Sequence, residues 1–543
     1  MTSLAFKASI GSPDSAVAVR YLSPPILQIS LSIMPSIPTP GAPKTYDDLV
    51  KLLENDNKVK VAVYLAGVDV DGVLRGKFMS KAKFLSAAKT EFGFCSVIFG
   101  WDIHDKTYFK ELTISNSANG YRDISAEIDL ATYRRLPWEN NVPLFLVAFR
   151  DPDSGKPLHA CPRSLLQETT KRVEAFGGDK GWECMAGAEF EYFQFKETAQ
   201  SVADKSFSNL NALTPGMHGY SLLRPQLNKD YFHELYDAAE EFGVEIEGHH
   251  TETGPGVFET ALAFTEAVRM ADNALLFKYL AKCVGMKHGI MPTFMSKPWG
   301  ELPGCSGHIH VSIRDKQGRN IFALSEDEIK AGGRQDAKWK DTKYISKEAE
   351  WFLAGILDGL PDSRLPNPFL QIVYLLTCVS VPKVMPLLCP NINSYKRLVG
   401  GEAFWAPNLA SYGYDSRAAS IRILGPPDAP SYATRFEVRV PGADMHPMLA
   451  FSAIFRLGLR GMEKKLELPY GPIGAPGVTK EDIPKLPTSL EAATERFLAK
   501  GSVARELFGD LMVDHFGGTR AHEVQLWKQA VTTWELERYL ELA

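Results

Sequence analysis

Apolar residues recur along this chain with two different periods. Over residues 46–54 their spacing is helical, whereas Val59, Val61, Val63 and Leu65 alternate with polar or small residues and predict a strand with one buried face. Asp71-Gly72 then supplies the chemistry of a hairpin turn. This small, mostly β region ends near DPDSGKPLHACPRSLLQ, where a Gly/Pro loop gives way to helical periodicity through LLQETTKRVEAFG. Further on, short strands carrying polar pairs alternate with helices such as TEAVRMADNALLFKYLAKCVG. The order of elements predicts an α+β protein with a leader over residues 1–44, a small domain over 45–157 and a larger domain over 158–543.

Composition narrows the partners. At 543 residues and 45% hydrophobic, the chain can bury more than one core. A net charge of -5 offers no basic field for nucleic acid, so small molecules are the expected partners. Seven scattered cysteines without a CxxC pair argue against a disulfide framework and a thiolate zinc site, which suits a reducing, cytoplasmic setting. The leader has a single acid, Asp14, and is rich in Ser and Pro; it reads as a disordered tail, with a mitochondrial transit peptide as the alternative. No run reaches the roughly 18 apolar residues of a membrane span, because Arg20, Pro24 and Pro25 break the one candidate.

The chemistry lies in polar pairs two residues apart. Glu189 and Glu191 in MAGAEFEYFQF point to the same face of a strand, as do His308, His310 and Ser312 in PGCSGHIHVSI, and Arg435, Glu437 and Arg439 in TRFEVRVPG. Glu252 and Glu259 flank the Gly-Pro-Gly turn of GHHTETGPGVFET. Each pair alone is compatible with a solvated strand face. Together, interleaved with Phe190, Tyr192, Ile309, Val311, Phe436 and Val438, they imply a sheet buried on one side and charged on the other. Oxygen donors with one or two imidazoles and no thiolate favour Mg²⁺ or Mn²⁺ over zinc, and neighbouring arginines suit phosphate.

These motifs, with NINSYKRL, SRAASIRIL, TRFEVRVPGADMHPMLA and VTTWELERYLE, resemble the glutamine synthetase family over residues 46–543, in its type I-like and fungal branch. The resemblance implies a β-grasp-like amino-terminal domain and a catalytic domain on a curved antiparallel sheet, the bifunnel. It further implies rings, typically two stacked hexamers, with each active site completed by a neighbour. Carried over by position, Glu191, Glu252 and Glu259 match the tighter metal site, and Glu189, His308 and Glu437 the second, ATP-linked one, for two or three Mg²⁺ or Mn²⁺ ions in all. Arg397 matches the clamp on glutamate's α-carboxylate, Arg439 the residue facing its γ-carboxylate, and Gly304 the amino-acid pocket. Arg417 and Arg422 match phosphate-facing arginines, Arg435 lies close to the nucleotide, and His310 and Ser312 fall where the family meets ATP. Arg397, Arg417 and Arg439 are thus the expected catalytic groups.

The implied reaction makes an acyl phosphate from glutamate and ATP, then lets ammonia or an amine displace phosphate. Departures from the family concern that amine. The loop after NSYKRL reads VGGEAFWAP, with Trp405 where the family has a glutamate and Glu402 as the nearby substitute. The segment FGFCSVIFGWDIHDKTY lacks the Asp-Gly-Ser-Ser stretch of the ammonium pocket, leaving Asp102 or Asp105 to serve, while Pro303 and Val257 replace an asparagine and a glutamine. An aromatic wall at Trp405 fits the carbon skeleton of a larger primary amine, which still needs an acid nearby to take its proton. The alternatives are a glutamine synthetase using ammonium only and a non-catalytic scaffold with the same fold.

Overall fold

The computed structural model describes residues 38–54, 63–360, 384–399 and 406–542. Most of the leader, the first part of the predicted strand over 59–62, Glu402 and Trp405 lie outside the described residues.

Strands β1 (Val63–Val68) and β2 (Leu74–Met79) form the hairpin expected around Asp71-Gly72. The turn is closed by a side chain: the Asp69 carboxylate accepts the backbone N–H groups of Asp71 and Val73 at 3.0 and 2.9 Å. With β3 (Phe92–Cys95), β4 (Asp123–Leu136) and β5 (Val142–Arg150) they make a five-stranded sheet ordered β2-β1-β5-β4-β3. β1 runs parallel to β5, so a long crossover must join them. The helix Lys81–Thr90 lies in that crossover, and its Phe84 packs on Phe145 with ring centroids 5.0 Å apart. This is the β-grasp-like arrangement.

The larger sheet has β6 (Glu183–Phe195) and β10 (Gly307–Arg314) at its centre. β13 (Arg435–Val438), β12 (Ile421–Leu424) and β11 (Tyr412–Tyr414) follow outward from β10; β8 (Val257–Glu266) and β7 (Ile246–Thr251) follow from β6, whose far end also pairs with β9 (Met291–Thr293). All pairs but β11–β12 are antiparallel, and the sheet curls into a half-barrel. Alternation decides which face is which. Ala188, Phe190 and Tyr192 are buried against the helix Ala267–Lys287, where Phe190 stacks on Phe277 at 6.3 Å, while Glu189 and Glu191 face the other way. Burying each aromatic side chain contributes about 1.5–3 kcal/mol, enough to hold the charged face in register.

Buried arginines tie the smaller sheet to the helices that pack on the larger one. Arg163 bridges Asp129 of β4 and Asp272 of the helix Ala267–Lys287 at 2.8 and 3.0 Å, and Arg134 of β4 donates to Asn273 at 2.7 Å. At the other end Arg520, on the helix Asp510–Gln529, pairs with Asp71 and donates to the Pro390 carbonyl at 2.8 Å. Among the described residues no helix is long and apolar enough to cross a membrane.

Candidate active site

Register brings the first charged cluster together. His308 of β10 stands opposite Glu189 of β6, and His310 opposite Glu437 of β13. His308 Nδ1 lies 3.4 Å from a Glu189 oxygen and 3.5 Å from a Glu437 oxygen. One donor atom from each of the three lies within 4.8 Å of the others, the one such group among the described residues. His308 and Glu437 are buried, so the cluster sits on the floor of the sheet. Burial alone raises the Glu189 carboxyl; hydrogen bonds and charge from His308 and His310 outweigh it and hold the group far below the carboxylate range. Glu437 behaves alike: burial raises it, but His308, His310 and Arg439 bring it down to about 2.

Glu191 stands opposite Glu259 across β6 and β8. Its Oε2 accepts the Ser306 N–H at 2.8 Å, and its carboxyl is raised, first by burial and then by Glu259. Glu252 occupies the turn between β7 and β8, fixed by its N–H to Val257 (2.9 Å) and by its carboxylate, which accepts the Thr253 N–H at 2.6 Å. That turn needs Gly256: its φ is +71°, and a Cβ would come 2.6 Å from the Gln194 carbonyl. His250 Nε2 approaches Glu259 at 3.2 Å and stacks on Tyr220 with centroids 4.5 Å apart. Glu191, Glu252 and Glu259 thus share one wall, although their donor oxygens do not converge as tightly as the first three.

The arginines divide by burial. Arg439 pairs with Glu437, and Arg422 reaches the other Glu437 oxygen at 2.9 Å while also pairing with Asp415. Arg397 is buried and holds the carbonyls of Val440 and Arg439 at 3.0 and 3.1 Å. Gly304 packs against it so closely that a Cβ would lie 3.0 Å from Arg397 Cγ and 2.5 Å from the Ser296 carbonyl. Arg417 is exposed on the β11–β12 turn and makes no ion pair with the described residues.

Arg435 Nε reaches His310 Nδ1 at 3.2 Å, and together with Ser312 these residues line a pocket of about 300 Å³. Its rim carries two residues that the motifs did not single out, Phe264 and Tyr432, exposed by 69% and 79%. Simple alternation puts Phe264 on the buried face with Leu262. A register shift between β6 and β8 adds one residue to β8 there and turns Phe264 onto the charged face.

Asp102, a sequence candidate for the amine's proton acceptor, is buried and occupied. Its Oδ1 accepts the N–H groups of His104 and Lys106 at 2.8 and 3.0 Å, and Oδ2 lies 3.3 Å from His522. Asp105 is exposed and pairs with Arg75 at 2.6 Å. Within the chain, Asp102 anchors the turn that carries His104 and Lys106.

The family model of the glutamine synthetase catalytic domain matches residues 159–365 and 377–539. Type-1 glutamine synthetase 2 of Dictyostelium discoideum is 40% identical over 494 residues, covering 90% of this chain and 85% of that protein. The glutamate–isopropylamine ligase of a Pseudomonas species is 31% identical, covering 88% and 95%, and the γ-glutamylethanolamide synthetase of Streptomyces coelicolor is 30% identical, covering 88% and 92%. A solved structure, a GmaS/ADP complex, superimposes with a TM-score of 0.69 at 23% identity, covering 91% of this chain and 99% of that one.

Proposed function

From the premise that this chain belongs to the glutamine synthetase family, we propose that it is an ATP-dependent ligase that joins the γ-carboxylate of glutamate to a primary amine larger than ammonia. The observation that carries the ligase reading is the convergence of Glu189, His308 and Glu437, with Arg422 and Arg439 paired to Glu437. Two carboxylates and one imidazole suit a hard divalent ion, Mg²⁺ or Mn²⁺, with Glu191, Glu252 and Glu259 as a second set of ligands. Such ions, when bound, would neutralise charge on the phosphates of ATP.

The chain's own groups account for the rest of the reaction. His310, Ser312 and Arg435 hold the nucleotide, with Phe264 and Tyr432 offering flat faces to its base. Arg397 and Gly304 receive the α-carboxylate and α-carbon of glutamate; Arg439 faces the γ-carboxylate. Attack of that carboxylate on the terminal phosphorus of ATP breaks the β–γ anhydride bond, releases ADP and brings anion to anion, and Arg417, Arg422 and Arg439 offset the charge that accumulates. The amine then adds to the acyl phosphate, loses a proton and expels phosphate. No protein nucleophile is required, because the work is done by positioning and electrostatics.

Three features favour the larger amine. Trp405 replaces a glutamate of the family loop, Asp102 is engaged elsewhere, and two relatives are named for isopropylamine and ethanolamide chemistry. The name of the Dictyostelium relative favours ammonium as a second reading. Purified protein with glutamate, ATP, Mg²⁺ and a panel of amines separates the two. Phosphate release that is faster with an alkylamine than with ammonium is expected, and Trp405→Ala should narrow the difference; fast release with ammonium alone defeats the reading. Ring assembly, with a neighbour supplying the missing acid, belongs to the same proposal and is checked by the mass of the native particle.

A further inference from the structure

Behind the glutamate-binding wall lies a cavity of about 890 Å³, separate from the metal and nucleotide clusters. Its lining combines two ammonium groups, Lys297 and Lys396, with the apolar surfaces of Ile392, Val399, Leu490 and Trp527. Neither ammonium makes an ion pair with the described residues. Of the two carboxylates among the described residues that line the cavity, Glu491 is already paired with Lys528, which leaves Glu301 facing Lys297 and Lys396. The helix Leu490–Leu498 also presents its amino-terminal end here, with Ser489 capping Ala492 N–H at 3.1 Å, and adds a positive dipole end. Burial lowers the Lys297 ammonium, Glu301 opposing and Arg397 reinforcing the effect.

The wall of this cavity is mechanically part of the substrate site. Asn393 takes the Lys297 N–H at 2.8 Å and returns a bond to the Lys297 carbonyl at 2.9 Å, clamping the helix Ile392–Leu398 to the loop 297–304. Lys396 precedes Arg397 in the chain, and Glu301 lies three residues before Gly304. What fills the cavity therefore presses on the same two segments whose other side holds Arg397 and Gly304.

We propose that this cavity is a second binding site, for an organic anion with a flat apolar body, and that its occupation changes glutamate affinity through the Asn393 clamp. The two lysines would grip a carboxylate or phosphate, and the indole of Trp527 would cover the body of the ligand. Binding needs no turnover, so this inference stands or falls separately from the choice of amine.

Titration calorimetry of the full chain with 3-phenylpropionate and with phenyl phosphate tests it, with benzyl alcohol as the uncharged control. Saturable binding of at least one anion is expected, weakened at least tenfold by the pair Lys297→Gln and Lys396→Gln and, independently, by Trp527→Ala. Which anion binds assigns the headgroup. In kinetics the bound anion should shift the KM for glutamate at least twofold with kcat little changed, and the variants should lose that shift. No saturable heat with either anion, equal affinity for benzyl alcohol, undiminished binding by the variants, or anion affinity that falls without limit as glutamate rises, the mark of a shared site, would each overturn the proposal.

Discussion

Glu437 shows how much a single carboxylate carries. Arg422, Arg439 and His308 all converge on it, and burial leaves it no water to lean on. Replacing it with the neutral isostere, Glu437→Gln, keeps the shape and removes the charge. Turnover should fall by about 100-fold or more, as when one preorganised electrostatic partner is lost. The rise in melting temperature on adding Mn²⁺, read by calorimetry, should shrink in the same variant, because an ion bound only to the native state stabilises it. Asp102 makes the opposite case. Its contacts are local turn bonds and His522, so Asp102→Asn should cost about 1–3 kcal/mol of stability in denaturant unfolding and leave the ranking of amines unchanged. A changed ranking would return Asp102 to the amine site.

At the scale of elements, the strand pairs explain what could be read in advance. Period-two spacing placed Glu189/Glu191, His308/His310 and Glu437/Arg439 on one face before any coordinates, because a side chain on a strand has only two directions. Register across strands is not written in any one of them. That His308 meets Glu189 and Glu437, rather than His310 alone, depends on pairings between segments more than a hundred residues apart. Phe264 escaped notice for a related reason, since one added residue in β8 inverts the alternation. The motif position of Asp102 likewise says nothing about the turn bonds to His104 and Lys106 that its Oδ1 accepts. The turn between β7 and β8 is testable at this scale. Gly256→Ala forces a side chain into left-handed backbone and against the Gln194 carbonyl, so it should cost about 1–3 kcal/mol and loosen Glu252. Loss of the Mn²⁺-dependent thermal shift at temperatures where the variant stays folded is the expected readout.

Across the whole molecule, buried uncharged histidines set an acid limit. His446 and His515 are fully buried, and burial lowers each to about 3. In the unfolded chain their ordinary value is about 6.5. Above that value both states hold them neutral and they add no pH dependence. As pH falls below it, only the unfolded state takes up the two protons, so stability should drop by up to about 1.4 kcal/mol per pH unit for each histidine between roughly pH 6 and 4.5. His515→Phe preserves an aromatic partner for Phe99, which lies 6.2 Å away, and should flatten the slope of melting temperature against pH in that window by about half of the histidine contribution.

The arginines shared between the sheets carry a consequence for anyone wishing to study either half alone. Cut between β5 and the helix Pro162–Phe176, the larger piece would keep Arg163 and Asp272 but lose Asp129, and the smaller would expose Arg134 stripped of Asn273 and of the Phe242 and Gly243 carbonyls. Each fragment would inherit ionic groups prepared for a neighbour it no longer has. Expressed separately, the halves should be insoluble or unfolded, and should recover only when produced together.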